Sequence, residues 1–300
     1  MRKKKKLSDV LTTVLLFLVM LIGIAVFCYP AFSSWWNERT QTRVIDNYNR
    51  TVGSLDISEK EDFLAGAHAY NEALSALADP LSEYGVLTDY DRILDVTRTG
   101  IIGYIDIPKI GVHLPVYHGT SPEVLNVAVG HLQGTSFPVG GAGCHAVISA
   151  HRGLPSAKLF TDLDQLTEDD RFTVSVLDEV LTYEVEQINV IRPFEMEYLR
   201  PQAGRDLVTL MTCTPYGINT HRLLVTAHRI DTITEEESVR RIRIPADAVL
   251  IDSMDALPFL VVPPAVLLLL YWAGSGNRKR KRYFSAFTVR KDLDENGKEQ

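Results

Sequence analysis

LVTLMTCTPYGINTHRLLVTAHRI, residues 207–230, spells two β-strands and the turn that joins them. Apolar and polar side chains alternate through LVTLMTC as far as Cys213, and alternation resumes from Arg222 in RLLVTAH. Between them TPYGINT supplies Pro215, Gly217 and Asn219, residues that favour turns because of their backbone preferences. If the two strands are antiparallel neighbours, their facing ends bring Cys213 and Arg222 together. A cation beside a thiol favours the thiolate, the nucleophilic form, and can also hold an oxygen on which negative charge develops.

The same texture continues upstream. From Gly100 the chain runs through IIGYIDIP, VHLPVYHG, HAVISAH, RFTVSVL and LTYEVEQINVI, short β-branched segments separated by Gly, Pro and Asp. Regular short strands of this kind imply a mainly β domain, a closed antiparallel barrel or sandwich, assigned to residues 96–235. LPSAKLFTDLDQL, residues 154–166, reads as one short helix. Residues 33–78 have helical spacing at Ile45, Tyr48 and Val52, then at Phe63, Leu64, Ala67, Tyr70 and Leu74. Two helices are expected there, with Ser58 and Glu61 forming a capping box for the second. Asp79-Pro80 ends the pattern, and 79–95 is expected to be a loop.

The ends of the chain are of another kind. Residues 10–32 are about twenty consecutive, mostly apolar residues, enough to cross a hydrocarbon core of roughly 30 Å. No small-x-small cleavage site stands clearly before Trp35 and Trp36, so the segment is expected to remain as an anchor and not as a removed signal peptide. The two tryptophans suit the interfacial belt. A second span is expected at 257–273 after a juxtamembrane linker, 236–256. Basic residues precede the first span in the tail 1–9 and follow the second in the tail 274–300. Positive charge stays on the cytoplasmic side, so both termini are expected in the cytoplasm and the middle of the chain outside the membrane.

That middle is acidic: residues 33–256 hold 18 Lys and Arg against 33 Asp and Glu, a balance of −15. Such a surface repels phosphate backbones, so nucleic acid is not an expected partner. Three cysteines make no disulfide framework in an exported domain. Cys28 lies in the first span, leaving Cys144 and Cys213 either to pair or to be free. Cys144 is followed by His145, but neighbours on a strand point to opposite faces, so Cys144 reads as a small buried residue and His145 as a structural neighbour of the active strand. A thiol nucleophile needs a proton carrier for the leaving amine. His151 ends the strand HAVISA and opens the loop Arg152-Gly153-Leu154-Pro155, a strand mouth. The remaining histidines lack the spacing of a metal site, and neither metal nor cofactor is expected. Thr212 and Asn219 flank the nucleophile and are expected to help orient a substrate.

Thr209-Leu210-Met211-Thr212-Cys213 resembles the TLxTC signature of the sortases, and HAVISAHRGLPSAKLFTDLDQL and TCTPYGINTHRLLV are similar to the corresponding stretches of class C, pilus-building sortases. The resemblance covers about residues 70–229. It implies a closed sortase barrel and a cysteine transpeptidase in which Cys213 attacks an LPxTG-like sorting signal. His151 would act as acid and base, and Arg222 would hold the substrate and its oxyanion. The thioester would pass to a lysine amine of a pilin, with no ATP or metal. The alternatives within reach are a housekeeping sortase that anchors surface proteins to cell-wall precursor, a thiol peptidase that uses water, and a membrane-anchored scaffold without catalysis. Class C relatives also carry a lid with an Asp-Pro-aromatic motif. Here Asp79-Pro80-Leu81 stands in that place without the ring, so Asp79 is expected to pair with Arg222, and Leu81, or Tyr84 in its stead, to cover the sulfur.

Overall fold

In the computed structural model, residues 2–232 and Pro264 are described; the expected linker, second span and basic C-terminal tail lie outside the described residues, apart from Pro264. The chain divides into two compact units, the second beginning at Phe32. Helix α1 is assigned over Arg2–Ser54, so the expected anchor and the first expected helix fall under one element. Within it the stretch from Phe17 contains an 18-residue window of mean hydropathy 2.0, none of it buried. By length and composition this helix can cross a membrane.

In the second unit, α1 buries Ile45, Tyr48 and Val52, and helix α2 (Ile57–Ser75) buries Ala67, Tyr70, Asn71 and Leu74. The spacing seen in the sequence is thus the spacing of the packed face. The start of α2 corrects the expected cap. Asp56, not Ser58, is the N-cap: it accepts from Glu59 N–H at 2.8 Å, while Glu59 accepts from Asp56 N–H at 2.9 Å. Helix α2 begins at Ile57, so Ser58 is already inside its first turn and Asp56 stands at the cap. Tyr48 stitches α1 to the sheet, donating its hydroxyl to Ile102 O at 3.2 Å and accepting from Leu177 N–H at 2.9 Å. Burial pushes this phenol up to about 12.

Eight strands follow: β1 (Ile101–Ile107), β2 (Val112–His118), β3 (Val129–His131), β4 (Cys144–Ser149), β5 (Arg171–Val176), β6 (Glu179–Ile191), β7 (Asp206–Thr214) and β8 (His221–Ile230). They close into a barrel in the order β1-β2-β3-β4-β7-β8-β6-β5. The expectation of closure holds, but that of a wholly antiparallel barrel does not: β2 with β3 and β4 with β7 are parallel. Parallel neighbours need a crossover, and the β5–β6 hairpin with its flanking loops carries the chain from the top of β4 back to the foot of β7. Strand β3, three residues long, was not visible in the pattern.

The helix expected over 154–166 is absent. Leu154 instead pairs with Ala157 in an isolated bridge, Leu159 takes a left-handed backbone (φ 42°), and only Leu163–Gln165 forms a single 3-10 turn. Its helix-like apolar spacing serves another end, because Leu159, Phe160 and Leu163 are each buried in the main core. Residues 79–95 contain a short helix α3 (Pro80–Glu83) and two 3-10 turns. Tyr90 and Leu94, both fully buried, root the far end of this segment in the core.

Alternation sorts the strands into two faces. Ala146, Ile148, Val208, Leu210, Leu223 and Val225 join the main core inside the barrel. Their neighbours Val147 and Leu224 belong to a second cluster with Ile191 and Leu199, against which Leu81, Leu132 and Met211 pack. This cluster covers the outer face of β4, β7, β8 and the end of β6, and it is on this face that the candidate residues stand.

Candidate active site

Cys213 is the next-to-last residue of β7 and lies directly opposite Arg222 on β8. The pairing inferred from the sequence is therefore the pairing found. Residues paired across a ladder share a face, and Met211 with Leu224 continues the same face one step down. The Arg222 guanidinium is tethered locally: its Nη1 donates to His221 O at 3.1 Å and to Asn219 O at 3.3 Å. Asn219 serves through its backbone, which is left-handed (φ 61°) and whose N–H closes the turn onto Pro215 O at 3.0 Å. Only part of the five-donor fork of Arg222 is used in this way.

His151 comes to Cys213 from the other side. The β4–β7 register ends with Ser149 beside Met211, and Ala150 N–H continues it by donating to Met211 O at 3.1 Å. One further step places His151 level with Cys213, on the same outward phase as Val147 and Ser149. Thr212 does not flank this cleft. It is 1 % exposed on the opposite phase of β7, and its hydroxyl donates to Ala150 O at 2.8 Å, so it fixes the backbone immediately before His151.

Two loops interlock around these three residues. Arg152 donates to Thr214 Oγ1 at 3.3 Å, pairs with Asp164 and lies 6.0 Å from the Tyr216 ring centre. Gly153, with φ 76°, leaves room for that ring, since a Cβ at 153 would sit 2.6 Å from it. Arg152, Asp164 and Tyr216 were not singled out in the sequence. The signal available was the Arg-Gly pair after the strand, whose partner 60 residues away no local pattern reveals.

The lid differs from expectation in its ion pair. Asp79 Oδ1 lies 3.5 Å from Arg200 Nη2, not against Arg222, and its Oδ2 accepts from Ser82 Oγ at 2.8 Å. Arg222 turns its guanidinium to the carbonyls of its own loop, which leaves Arg200 as the cation within reach of α3. Leu81 packs on the second cluster with Met211, two residues before Cys213, whereas Tyr84 packs against the main core. Gly134 (φ 91°) makes this approach possible: a Cβ there would meet Tyr84 at 2.8 Å and Pro80 O at 3.1 Å.

The other thiol is elsewhere. Cys144 begins β4 opposite Asp206, seven residues along β7 from Cys213, roughly 23 Å at strand rise. That is far beyond disulfide reach, and all three cysteines are free. Burial, and then the Asp206 carboxylate, push the Cys144 thiol up, away from the reactive thiolate. His145 is buried at the foot of the same face, with burial holding its basicity down. Among the described residues, no three His, Cys, Asp or Glu side chains gather in a metal-binding group.

A cysteine and an arginine paired at the end of two barrel strands, with a histidine brought level by a third, define a cysteine acyl-transfer site. Residues 105–230 match the family described as Sortase domain. Among solved structures, the chain is similar to sortase C1 from Streptococcus agalactiae, at 43% identity and TM-score 0.59, covering 64% of this chain and 100% of that one. It is similar also to sortase C from Streptococcus pneumoniae, at 43% identity and TM-score 0.57, covering 63% and 97%. A lid mutant of sortase A from Corynebacterium diphtheriae matches at 39% identity and TM-score 0.56, covering 61% and 100%. A curated relative, sortase A of Streptococcus agalactiae, is 25% identical over 249 residues, 80% of this chain and 95% of that one. The chain belongs to the sortase family of cysteine transpeptidases, as a class C, pilus-type member.

Proposed function

We propose that Cys213, His151 and Arg222 carry out the transfer of an LPxTG-like sorting signal from one envelope protein to a lysine amine of a pilin, and so polymerise pilus subunits. The observation that carries this reading is the placement of Cys213 between Arg222 on β8 and the His151 position beyond β4. The Cys213 thiolate adds to the carbonyl of the scissile bond, and the free donors of Arg222 hold the resulting oxyanion. His151, as imidazolium, gives its proton to the departing amine, and the C–N bond breaks to leave a thioester. The incoming lysine amine then adds to the thioester carbonyl, His151 takes its proton, and the Cys213 thiolate departs as the new amide forms. The energy of the peptide bond is held in the thioester, so no nucleotide is consumed.

The apolar part of α1 is read as a membrane anchor, and the acidic middle of the chain as lying on the outer side, in keeping with the basic run Arg2–Lys6. A second span at 257–273 belongs to the same reading. The test is a full-length enzyme in detergent given a sorting-signal peptide and, in competition, a pilin-derived lysine peptide and a wall-precursor amine. Mass spectrometry should show a Cys213-linked acyl-enzyme that resolves onto the pilin amine. Cys213→Ala should show neither product. Acyl-enzyme in that variant, or transfer to the wall amine in preference to lysine, refutes the proposal.

A further inference from the structure

The segment 193–204 between β6 and β7 forms a wall of the outer face, because Leu199, 1 % exposed, packs with Val147, Ile191 and Leu224 beside Leu81 and Met211. Behind that wall lies a groove of about 420 Å³ lined by Gln187, Asn189 and Thr226 of the sheet and by Tyr198, Arg200 and Gln202 of the wall itself. The wall therefore has space to fall back into. Among the described residues, its hydrogen bonds are local to residues 192–205 except at one position. There the Arg200 carbonyl accepts from His145 Nδ1 at 3.0 Å, and the Arg200 guanidinium meets Asp79 of the lid at 3.5 Å.

His145 is held so as to make this bond. A carbonyl can only accept, so Nδ1 carries the proton, and the bare Nε2 of the neutral ring accepts from Thr209 Oγ1 at 2.7 Å. Thr209 in turn lies 2.9 Å from Thr226 Oγ1. The ring is fully buried, and its neutrality agrees with the effect of burial on its basicity. Three strands, β4, β7 and β8, thus fix the ring and its tautomer, and the ring fixes Arg200.

We propose that His145 is a positioning residue for the transfer reaction, pinning the cleft wall at Arg200 so that the wall keeps its place beside the sorting signal and the Arg200 side chain meets the lid. The proposal rests on the reading of Cys213 as the acylated thiol. It concerns binding and closure and not bond making, because His145 lies at the foot of the sheet, about six residues of strand from the Cys213 level.

The test compares full-length His145→Ala, His145→Gln and Thr209→Val with the parent enzyme. Gln retains a donor and an acceptor, and Thr209→Val leaves the ring but removes the hydroxyl that donates to its Nε2. For His145→Ala the KM for a sorting-signal peptide should rise about ten-fold with kcat within about three-fold, and Cys213 labelling by a small thiol reagent in the resting enzyme should quicken two- to five-fold. His145→Gln should recover most of both effects, and Thr209→Val should shift KM in the same direction as His145→Ala. Loss of thermal stability with unchanged KM and labelling in His145→Ala and Thr209→Val, or a fall in kcat alone, overturns the proposal. The labelling arm needs no substrate, so an enzyme that fails to acylate with any sorting peptide refutes the proposed function while labelling still decides the role of His145.

Discussion

Replacing Leu81 by Ala probes what keeps the lid shut. One ion pair and one apolar contact of the α3 segment can be weighed against each other. The Asp79–Arg200 pair is 3.5 Å long, with side chains 40% and 58% exposed, and exposed pairs contribute roughly 0.2–1 kcal/mol. Leu81 is half-buried against the cluster of Val147, Ile191, Leu199 and Leu224. Full burial of a leucine stabilises by about 1.5–3 kcal/mol, so half-burial contributes roughly 0.8–1.5 kcal/mol. At about 1.4 kcal/mol per factor of ten, Leu81→Ala should raise the open population, and with it the labelling rate of Cys213, about 4- to 12-fold. Arg200→Ala should raise it no more than about 5-fold. The assay is the time course of thiol labelling in a background where Cys28 and Cys144 are replaced, so that Cys213 alone reports. Apolar cover is then the main restraint. A larger effect from Arg200→Ala than from Leu81→Ala would refute that ranking, and no effect from either would show that α3 does not cover the thiol.

Arg222→Ala should lower kcat/KM for a sorting peptide about 10²- to 10³-fold, the usual cost of an oxyanion donor, with acyl-enzyme formation by rapid quench as the measurement. Asn71→Ala should lower thermal stability by roughly 2–4 kcal/mol, because Asn71 both accepts from Phe137 N–H at 2.7 Å and donates to Phe137 O at 3.1 Å and its loss leaves two buried backbone groups unpaired. His131 is fully buried, bonded to Tyr90 and Ser136 O, and pushed down to about 4 by burial. The unfolded chain takes up this proton near pH 6.5 and the folded one only near 4, so stability is intact above 6.5 and falls as pH drops toward 4, by about 3 kcal/mol from this group. Chemical melts at several pH values should show that loss, and a curve just as steep in His131→Gln would rule out His131 as its source.

The strands of the barrel were legible because a half-buried strand must alternate, and the facing ends of β7 and β8 followed from a short turn, so Cys213 and Arg222 met where the sequence put them. Alternation also contains the fact that Thr212 points away from Cys213, since neighbours on a strand take opposite faces. The expectation that Thr212 lines the cleft overlooked it. Strand direction was not legible: side chains alternate identically in parallel and antiparallel ladders, so nothing in HAVIS or LVTLM marks β4 and β7 as parallel. A three-residue strand such as β3 is too short for any period to show.

The sequence by itself determined the two N-terminal helical stretches with their buried stripe, most of the strands, the facing of Cys213 and Arg222, and the apolar segment that suits a membrane. These are local properties, set by periodicity, by turn chemistry and by residue type. Only the tertiary structure decided that His151 comes level with Cys213 through a parallel strand, and that Asp79 meets Arg200, 121 residues away, instead of Arg222. It alone decided that His145 bonds to the Arg200 carbonyl. Such pairings depend on which surfaces closure of the barrel brings together, and a linear pattern carries no record of distance in space.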